Sequence, residues 1–600
     1  MSGDSYPHAP HPPTDPDAAE QETDGGLSRR DFLKSGAAGL AAGALLGAGV
    51  VHTAEAAPPG GGRGHRILLK GGIVLSLDPA VGDFEQADVL IQDKKILAVG
   101  PNLPAGGRVV DCRGKIVMPG FITTHHHRYE TVQRSIISDG LIVFGGDFEQ
   151  QPNVWPYESY GTVVQGIWTA GRLGPAESPT WDLGRPPQDP EDLYIAELVA
   201  SLASITQGIT CGTDTSQASH TPEHTDAMIQ GLMDSGQRVL YDYSGGVNRS
   251  GSPTPNPAFE YPGIMGDETL GVGRLRKTWF SSDDQLVTLG LAAGSGPAFP
   301  GAPYTGWQLA KSFGCWINNH NVGGTGVVLD NQDQLADPEI GPKLTLVHCV
   351  RWQDAPYAQV HRDTTSTVWQ IFADNGCHAS IAPVTEMQMR HGMPPLQLAL
   401  NHGILPSLSP DVDTNNTPDP FSLMRAAFGL QRALANDLIF PISDPDSLPT
   451  PQLLTSRQVI EMATIAGAAG SGLLHKVGTL TPGKEADIVI LDARDSIDLA
   501  PVNNAPGSVV TMMDTSHVRH VMIAGKFVYW NQRLVGWNER KLIRDMEASH
   551  ERVLARIRST PVVGTLTQGL NSEQPYRPNF LGSCCYNGQN QFAPHYVLRP

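Results

Sequence analysis

The chain has 600 residues, of which 40% are hydrophobic, so it is long enough for a well-buried core and for more than one domain. Its formal net charge of -19 at pH 7 argues against nucleic acid or an anionic membrane as a partner, because both attract basic surfaces. The seven cysteines include no CxxC pair, which excludes a zinc ribbon and argues against a disulfide framework.

Residues 1–56 are predicted to be a cleaved export leader. Arg29 and Arg30 precede a Gly- and Ala-rich apolar stretch, which ends at Ala54, Glu55 and Ala56. This order is typical of a secretory signal, and SRRDFLK resembles the twin-arginine export motif. The alternative is a membrane anchor, which the short and glycine-rich stretch disfavours. We therefore expect the twin-arginine export machinery as a partner, a secreted, periplasmic or cell-envelope location, and no stable membrane association after cleavage.

Two β-rich pieces flank a middle part of different character. Residues 65–118 contain short Val, Ile and Leu runs broken by Gly and Asp, and residues 476–540 have the same texture. Such runs are typical of short β-strands joined by turns. The two pieces are therefore predicted to form one small discontinuous β-sandwich from both flanks, followed in residues 541–600 by a C-terminal helix and an irregular tail.

The middle part, residues 119–475, repeats an apolar run followed by a helix-sized connection. Eight strands that alternate with helices predict an α/β fold, a (β/α)8 TIM-type barrel whose functional side chains lie at the carboxyl ends of the strands. One connection, residues 145–187, holds three tryptophans and is either a lid over the barrel mouth or a packed surface segment. The eight runs are 120–127, 208–216, 238–246, 286–294, 315–323, 344–350, 378–384 and 405–413.

The first run ends in three consecutive histidines. Side chains alternate between the two faces of a strand, so His125 and His127 point the same way, whereas His126 points to the opposite face. Two imidazoles on one face at the end of a barrel strand can bind one metal ion. The triplet is therefore interpreted as two metal ligands separated by a bystander, which we expect to tolerate substitution best.

Further ligand candidates follow from the same rule of position. A catalytic metal needs three or four protein ligands and an open position for water. His320 lies near the end of the fifth run, His348 near the end of the sixth, and Asp411 near the end of the eighth. Asp413, two residues later on the same face, is the alternative to Asp411.

This set of spaced motifs resembles the amidohydrolase superfamily, and within it the branch of cytosine deaminase, guanine deaminase and chlorotriazine hydrolase. The resemblance rests on GFxxxHxH, the histidine of the fifth strand, VHC on the sixth and an aspartate on the eighth. IVMPGFI and VGTLTPGKEADIVILD in the flanking pieces extend it from about residue 65 to about residue 555. The motifs are specific for the superfamily and carry little information about the substrate.

The resemblance implies a role for each candidate. His125, His127 and His320 would hold one divalent ion, zinc or iron, with Asp411 beside it. Asp411 would accept the proton of the attacking water, and His348 would polarise the carbonyl or ring nitrogen of the substrate. A bound metal lowers the pKa of water towards about 7, so that hydroxide can attack an electron-poor carbon.

One position departs from the pattern of the branch. Its deaminases carry a glutamate three residues after the histidine of the fifth strand, where this chain has Gly323, and no carboxylate lies between His320 and Asp330. Glu386 is predicted to replace it as the proton donor, with His391 beside it as a substrate contact. The alternative is that Glu386 only caps a helix.

We therefore expect a metal-dependent hydrolase that attacks a carbon–nitrogen bond of a small aromatic or heterocyclic substrate, with deamination as the first reaction. The alternatives are a cyclic amidase or a dechlorinating hydrolase on the same site, or a non-catalytic metal- or ligand-binding relative. Tyr129 and Gln133, just past the histidines, are predicted substrate contacts, with packing as the alternative. The partner is a small-molecule substrate, and a homo-oligomer remains one alternative for the assembly.

Overall fold

The computed structural model describes residues 65–135, 138, 188–219, 221–244, 271–297, 303–321, 325–350, 362–389, 391–439 and 453–559. The predicted leader, the tryptophan-containing segment 145–187, Gly323 and the tail after residue 559 lie outside the described residues. No helix in the described part is both long enough and apolar enough to cross a membrane.

Strands and helices alternate along most of the described chain. The strands are β1 (Arg66–Val74), β2 (Phe84–Gln92), β3 (Lys95–Gly100), β4 (Arg108–Asp111), β5 (Lys115–Pro119), β6 (Phe121–Thr123), β7 (Ile209–Ser216), β8 (Arg238–Tyr243), β9 (Val287–Leu291), β10 (Trp316–Asn321), β11 (Leu344–His348), β12 (His378–Ile381), β13 (Ser407–Leu408), β14 (Ile488–Asp492), β15 (Val518–Ile523), β16 (Lys526–Trp530) and β17 (Arg533–Leu534). The α-helices are α1 (Pro190–Thr206), α2 (Pro222–Ser235), α3 (Gly271–Thr278), α4 (Gly306–Ser312), α5 (Gly326–Leu329), α6 (Gln332–Leu335), α7 (Arg362–Asp374), α8 (Pro383–Gln388), α9 (Leu396–Asn401), α10 (Pro420–Ile439), α11 (Ser456–Met462), α12 (Ile465–Gly470), α13 (Ala505–Thr511) and α14 (Glu539–Ser559).

Strands β6 to β13 form a parallel sheet in which each strand pairs with the next one along the chain. The sheet is nearly closed, since the Thr124 amide donates to the Leu408 carbonyl across the seam at 3.3 Å. All eight strands fall within the eight apolar runs identified in the sequence. The predicted (β/α)8 barrel is therefore confirmed.

The interior of the barrel below the strand ends is polar and hydrogen-bonded. The Thr124 hydroxyl lies 2.7 Å from the hydroxyl groups of both Ser380 and Ser407. The Thr345 hydroxyl donates to the Gly470 carbonyl at the end of α12 at 2.7 Å. These contacts pair the hydroxyl groups of the barrel interior with one another and with α12.

The remaining strands form a nine-stranded sheet to which both flanks of the chain contribute. Its two halves meet where β5 pairs antiparallel with β14, with Pro119 opposite Ile488. Side chains alternate along β14. Ile488 and Ile490 pack into the core of the sheet, whereas Val489 and Leu491 join a core cluster that also contains barrel residues. The prediction that the flanks combine into one β-structure is therefore confirmed.

Helix α14 returns the chain to the barrel. The Ser549 hydroxyl donates to Asp192 on α1 at 2.8 Å, and Arg552 donates to the same carboxylate at 2.7 Å. The His550 Nδ1 donates to the Val132 carbonyl at 2.8 Å, in the 3-10 helix that follows the three histidines. The C-terminal helix therefore supports the segment that carries the predicted metal ligands.

Candidate metal centre

Four side chains from different barrel strands form one cluster at the carboxyl ends. They belong to His125 after β6, His320 on β10, His348 at the end of β11 and Asp411 after β13. Their ligand atoms all lie within 4.8 Å of one another. His320 is half-buried and the other three are buried. The structure thus brings together four residues that are distant in the sequence.

His127 reaches the same cluster from the other end of the triplet. Its Nε2 lies 3.0 Å from His320 Nε2 and 3.6 Å from Asp411 Oδ1. Ring nitrogens bound to one zinc at ~2.0–2.1 Å are roughly 3 Å apart, so this convergence fits ligands of a single ion. His125, His127 and His320 offer three imidazoles, and Asp411 offers a carboxylate, which together suit one divalent metal.

A glycine before the triplet sets the path of β6. A Cβ atom on Gly120 would lie 2.1 Å from the Thr210 side chain on the neighbouring strand. Any larger residue at this position would therefore push β6 away from β7. The glycine of the PGF motif thus has a steric reason, which is the close approach of the two strands that carry the site.

Thr215 on β7 orients both ligand histidines. Its hydroxyl lies 2.8 Å from His125 Nδ1, and its carbonyl lies 3.2 Å from His127 Nδ1. A carbonyl only accepts hydrogen bonds, so the proton of His127 is assigned to Nδ1 and the Nε2 lone pair faces the cluster. A fixed tautomer of this kind is the usual support of a metal-binding histidine.

The two aspartates after β13 have different partners. Asp411 Oδ1 lies 3.0 Å from His125 Nε2, and Asp411 Oδ2 lies 3.8 Å from His348 Nε2. Burial alone would raise the pKa of Asp411, but the nearby His348 and the contact with His125 hold that pKa well below its usual range. Asp413 instead pairs with His126 Nε2 at 2.9 Å. The structure therefore places Asp411 in the cluster and Asp413 outside it.

The bystander interpretation of His126 needs correction. Its side chain is buried, and its Nε2 hydrogen-bonds to a buried carboxylate. Strand alternation correctly separates it from the two neighbouring histidines, but it does not make the position tolerant. A buried hydrogen-bonded pair is costly to disrupt because the remaining partner loses its compensation.

Three residues at the cluster have a strained backbone conformation. His348, Cys349 and Asp411 have φ angles of 73°, 53° and 67°, in the left-handed region that non-glycine residues rarely adopt. Each such residue costs on the order of 1–3 kcal/mol, and the surrounding structure has to impose it. Strain of this kind is typical of sites where side chains are held for function.

Glu386 on α8 holds His348 from behind. Glu386 Oε1 lies 3.0 Å from His348 Nδ1 and accepts the Ala382 amide at 2.9 Å. Burial raises the pKa of Glu386, and the contact with His348 opposes that rise. Glu386 contacts Nδ1 of His348, whereas Nε2, on the other side of the ring, faces Asp411. This geometry fits a role of Glu386 in orienting His348 better than the direct proton transfer predicted from the sequence. The predicted contact residue His391 lies nearby, with its ring centroid 5.0 Å from that of His348.

The other two predicted substrate contacts are interior residues. The Tyr129 hydroxyl lies 3.1 Å from both Glu130 Oε1 and Gln217 Oε1, and the ring is fully buried 5.8 Å from the ring of His127. Gln133 is also fully buried, and its amide makes no hydrogen bond to the described residues. Packing, the alternative for both, describes this arrangement better than contact with a substrate.

A TIM-type barrel is joined to a sheet from both flanks, and histidines and an aspartate converge at the strand ends. This is the organisation of a metal-dependent hydrolase. The Amidohydrolase family model matches residues 367–529. This match confirms the predicted resemblance to the amidohydrolase superfamily.

Similar proteins span nearly the same length. The 5'-deoxyadenosine deaminase of Methanosarcina mazei is 23% identical over 516 residues, which cover 82% of this chain and 99% of that protein. The 5-methylthioadenosine/S-adenosylhomocysteine deaminase of Pelotomaculum thermopropionicum is 25% identical, with 82% and 99% covered.

Solved structures show the same fold at lower identity. An adenosine deaminase from Xanthomonas campestris with bound zinc has a TM-score of 0.58 at 18% identity, over 82% of this chain and 99% of that one. The atrazine chlorohydrolase of Arthrobacter aurescens complexed with zinc has a TM-score of 0.58 at 19% identity, over 81% and 100%. The fold is therefore shared by proteins with different leaving groups.

Sequence reasoning missed Thr215 and the partner of His126. Thr215 lies near the end of the second apolar run, where the rule of position would have placed a functional residue. The sequence shows that His126 and Asp413 are polar residues at strand ends, but it does not indicate that they pair. Its detection needs the closure of the barrel, which places β13 beside β6.

Proposed function

We propose that the protein is a metal-dependent hydrolase that replaces a carbon–nitrogen bond of a small aromatic or heterocyclic molecule with a carbon–oxygen bond, and that it acts first as a deaminase. The observation that carries the proposal is the convergence of three imidazoles and one carboxylate at the barrel mouth. The named deaminases that are similar over about four-fifths of the chain make a 6-aminopurine nucleoside the first substrate class to test.

Zinc is the first candidate for the metal. His125, His127 and His320 would hold it through Nε2, with Asp411 beside it. When bound, such an ion lowers the pKa of water and so supplies a nucleophile at neutral pH. The fit rests on the donor set, since borderline-soft divalent ions prefer neutral imidazole and carboxylate ligands.

The residues of the chain divide the remaining work. Asp411 is held ionised at the cluster and can accept a proton from the attacking water. His348 directs Nε2 towards the same point and can donate a hydrogen bond to a ring nitrogen or a carbonyl oxygen of the substrate. Glu386, whose Oε1 accepts the Ala382 amide, fixes the ring of His348, which keeps this donor aimed before the substrate arrives.

The glycine that follows the fifth barrel strand favours a second candidate reaction, which is dechlorination. Ammonia needs a proton in order to leave, and the glutamate that would deliver it is replaced by Gly323. Chloride leaves as an anion and needs no such proton, so dechlorination of a heterocycle suits the same site. Hydrolysis of a cyclic amide is the third reaction that we include in the test.

The experiment combines metal analysis with product detection on the purified protein. We expect about one zinc per chain, and ammonia release from adenosine or 5'-deoxyadenosine that exceeds chloride release from a chlorotriazine and ring opening of a lactam. His127→Ala should lose metal and activity together, whereas His475→Ala, at an exposed histidine, should lose neither. A metal-loaded protein without activity on any of these classes would favour a non-catalytic relative.

We also propose that the protein is exported through the twin-arginine route and acts in the periplasm, the cell envelope or the medium. The support is the sequence of residues 1–56, with its arginine pair and its glycine-rich apolar stretch. This route carries folded proteins, which agrees with a metal site that is assembled before transport.

A further inference from the structure

The middle histidine of the triplet belongs to a second, adjacent network. His126 Nε2 lies 2.9 Å from Asp413 Oδ1, and both side chains are 1% exposed. The other oxygen of this carboxylate accepts the Thr131 hydroxyl at 2.8 Å and Arg134 Nε at 3.3 Å. Each oxygen of Asp413 therefore has a donor, and the network joins the end of β6 to the segment after β13.

The hydrogen bonds assign opposite tautomers to neighbouring histidines. A carboxylate accepts hydrogen bonds, so His126 donates from Nε2. His127 donates from Nδ1 to the Thr215 carbonyl, which leaves its Nε2 lone pair towards the cluster. His126 thus commits its Nε2 to Asp413, whereas His127 directs its own Nε2 at the cluster. The role of His126 is to hold the segment rather than to bind the metal.

The backbone connects the same two segments. The His127 amide donates to the Asp411 carbonyl at 2.8 Å, and the Asp411 amide donates to the His125 carbonyl at 3.3 Å. His126 and Asp411 also form an isolated parallel bridge. Asp411 lies between these contacts at a φ of 67°, a conformation that persists only when its surroundings impose it. The His126–Asp413 contact is one of the buried side-chain links beside this strained residue.

We propose that His126 and Asp413 form a positioning pair that keeps the Asp411 carboxylate in register with the imidazoles of His125 and His127. The inference rests on the proposed function, because the register matters for holding a metal and for accepting a proton from water. His126 touches neither the metal position nor the substrate in this account. Its effect passes through the backbone of residues 411–413 to the carboxylate.

The test uses two amides of different reach at position 126. The amide nitrogen of glutamine overlays Nε2 of histidine, so His126→Gln keeps a donor to Asp413. The amide nitrogen of asparagine overlays Nδ1, so His126→Asn has no donor within reach. Both are neutral and polar, so their comparison isolates the donor to Asp413 better than an alanine variant does. A third variant, Asp413→Ala, removes the acceptor.

The first measurement is zinc affinity, obtained by competition with a chelator. Loss of a residue that orients ligands costs about 10- to 100-fold in metal affinity. We expect that loss for His126→Asn and Asp413→Ala, and recovery to within about threefold of the wild type for His126→Gln. Equal zinc affinity in the asparagine and glutamine variants would overturn the proposal. This readout does not depend on any substrate.

The second measurement is steady-state kinetics at saturating zinc. A small misplacement of a reacting group lowers kcat by about 10- to 100-fold. We expect this for His126→Asn, with KM within about threefold of the wild type, at a temperature where the variant is fully folded, whereas His126→Gln should keep kcat within about threefold. A drop in kcat that follows a drop in melting temperature in both amide variants would show a purely structural role. Absence of hydrolysis in the wild type would count against the proposed function, while the affinity comparison would still decide on the pair.

Discussion

A single threonine supports two of the three imidazoles, and its two contacts use different atoms. The Thr215 hydroxyl serves His125 Nδ1, and its carbonyl serves His127 Nδ1. Thr215→Val removes only the first, at almost constant shape. We predict about tenfold weaker zinc binding in chelator competition. Thr215→Ser, which keeps the hydroxyl, should bind as the wild type does, and the prediction is wrong if valine binds zinc as tightly as serine.

Variants of Glu386 can distinguish a role in orienting His348 from a role in proton transfer. Its Oε1 accepts from both His348 and the Ala382 amide, and the carbonyl oxygen of an amide can do the same. Glu386→Gln should therefore retain kcat within about tenfold of the wild type, because a donor stays aimed, whereas Glu386→Ala should lose about 100-fold or more. The measurement is kcat at saturating metal. A loss of about 1000-fold in Glu386→Gln would restore the proton donor predicted from the sequence.

The residues of the cluster were predictable because they obey position rules that are independent of tertiary detail. His125 and His127 follow from alternation along one strand, and His320 and His348 follow from the ends of later strands. His126 could not be interpreted in the same way, since its partner lies almost 290 residues away and only the seam between β6 and β13 brings them together. The role of Tyr129 is open to two interpretations for a related reason, because an aromatic residue near a site gives the same sequence pattern whether its side chain faces the cavity or the core.

At the scale of elements, one arginine joins the barrel to the sheet. Arg238, at the start of β8, donates to Asp487 at 2.8 Å and to Glu485 at 2.7 Å, all three being buried. Removing one partner of a buried ion pair leaves an uncompensated charge. We predict that Arg238→Met lowers the free energy of unfolding by about 3–5 kcal/mol in denaturant titration. Arg113→Met, at an exposed pair with Asp111, is the control and should leave stability unchanged.

The sheet also contains a histidine that is kept neutral. Burial, together with the charges of Arg519 and Lys115, lowers the pKa of His520 to about 3. His520 Nδ1 accepts the Asn531 amide at 3.1 Å, and its ring lies 4.0 Å from that of Trp530. An unfolded histidine titrates near ~6.5, so the folded protein binds fewer protons below that pH. This group's contribution to stability is complete above about pH 6.5 and declines as the pH falls towards 3.

The test compares pH slopes rather than absolute stabilities. Each pH unit within that window costs about 1.4 kcal/mol for one such group. His520→Asn keeps an acceptor for the Asn531 amide and removes the titration. We predict a shallower fall of the unfolding free energy between pH 6.5 and pH 4.5, by roughly 2 kcal/mol over the window. His475→Asn, at an exposed histidine, should fall as steeply as the wild type, and equal slopes in all three proteins would contradict the prediction.

The eight barrel strands were predictable because buried parallel strands are continuous apolar runs of limited length. The combination of the two flanks into one β-structure was also predictable, because both contain short apolar runs broken by turn residues. The pairing of β5 with β14 in a particular register was not predictable. Both strands are largely apolar on both faces, so their sequences do not indicate which strand pairs with which. Burial on both sides, against the sheet core and the barrel core, explains why alternation is absent there.

At the scale of the whole molecule, the proposed export route predicts an order of folding, metal loading and export. A twin-arginine leader directs a folded chain to the membrane. A buried ligand set such as His125, His127 and Asp411 is accessible to a metal only before or during folding, or through the barrel mouth. We therefore expect metal to be acquired in the cytoplasm, before the leader is removed.

The full-length chain in a host with the twin-arginine machinery tests this order. We predict that the exported protein begins near residue 57 by N-terminal sequencing and carries metal at the same stoichiometry as protein purified from the cytoplasm. Arg29→Lys combined with Arg30→Lys should block export and leave a folded, metal-loaded precursor inside, because the arginine pair is the recognised feature. Arg63→Lys, outside the leader, should be exported normally. Export of the double variant at the wild-type level would show that another route carries the chain, and metal-free protein outside the cell would show that loading follows transport.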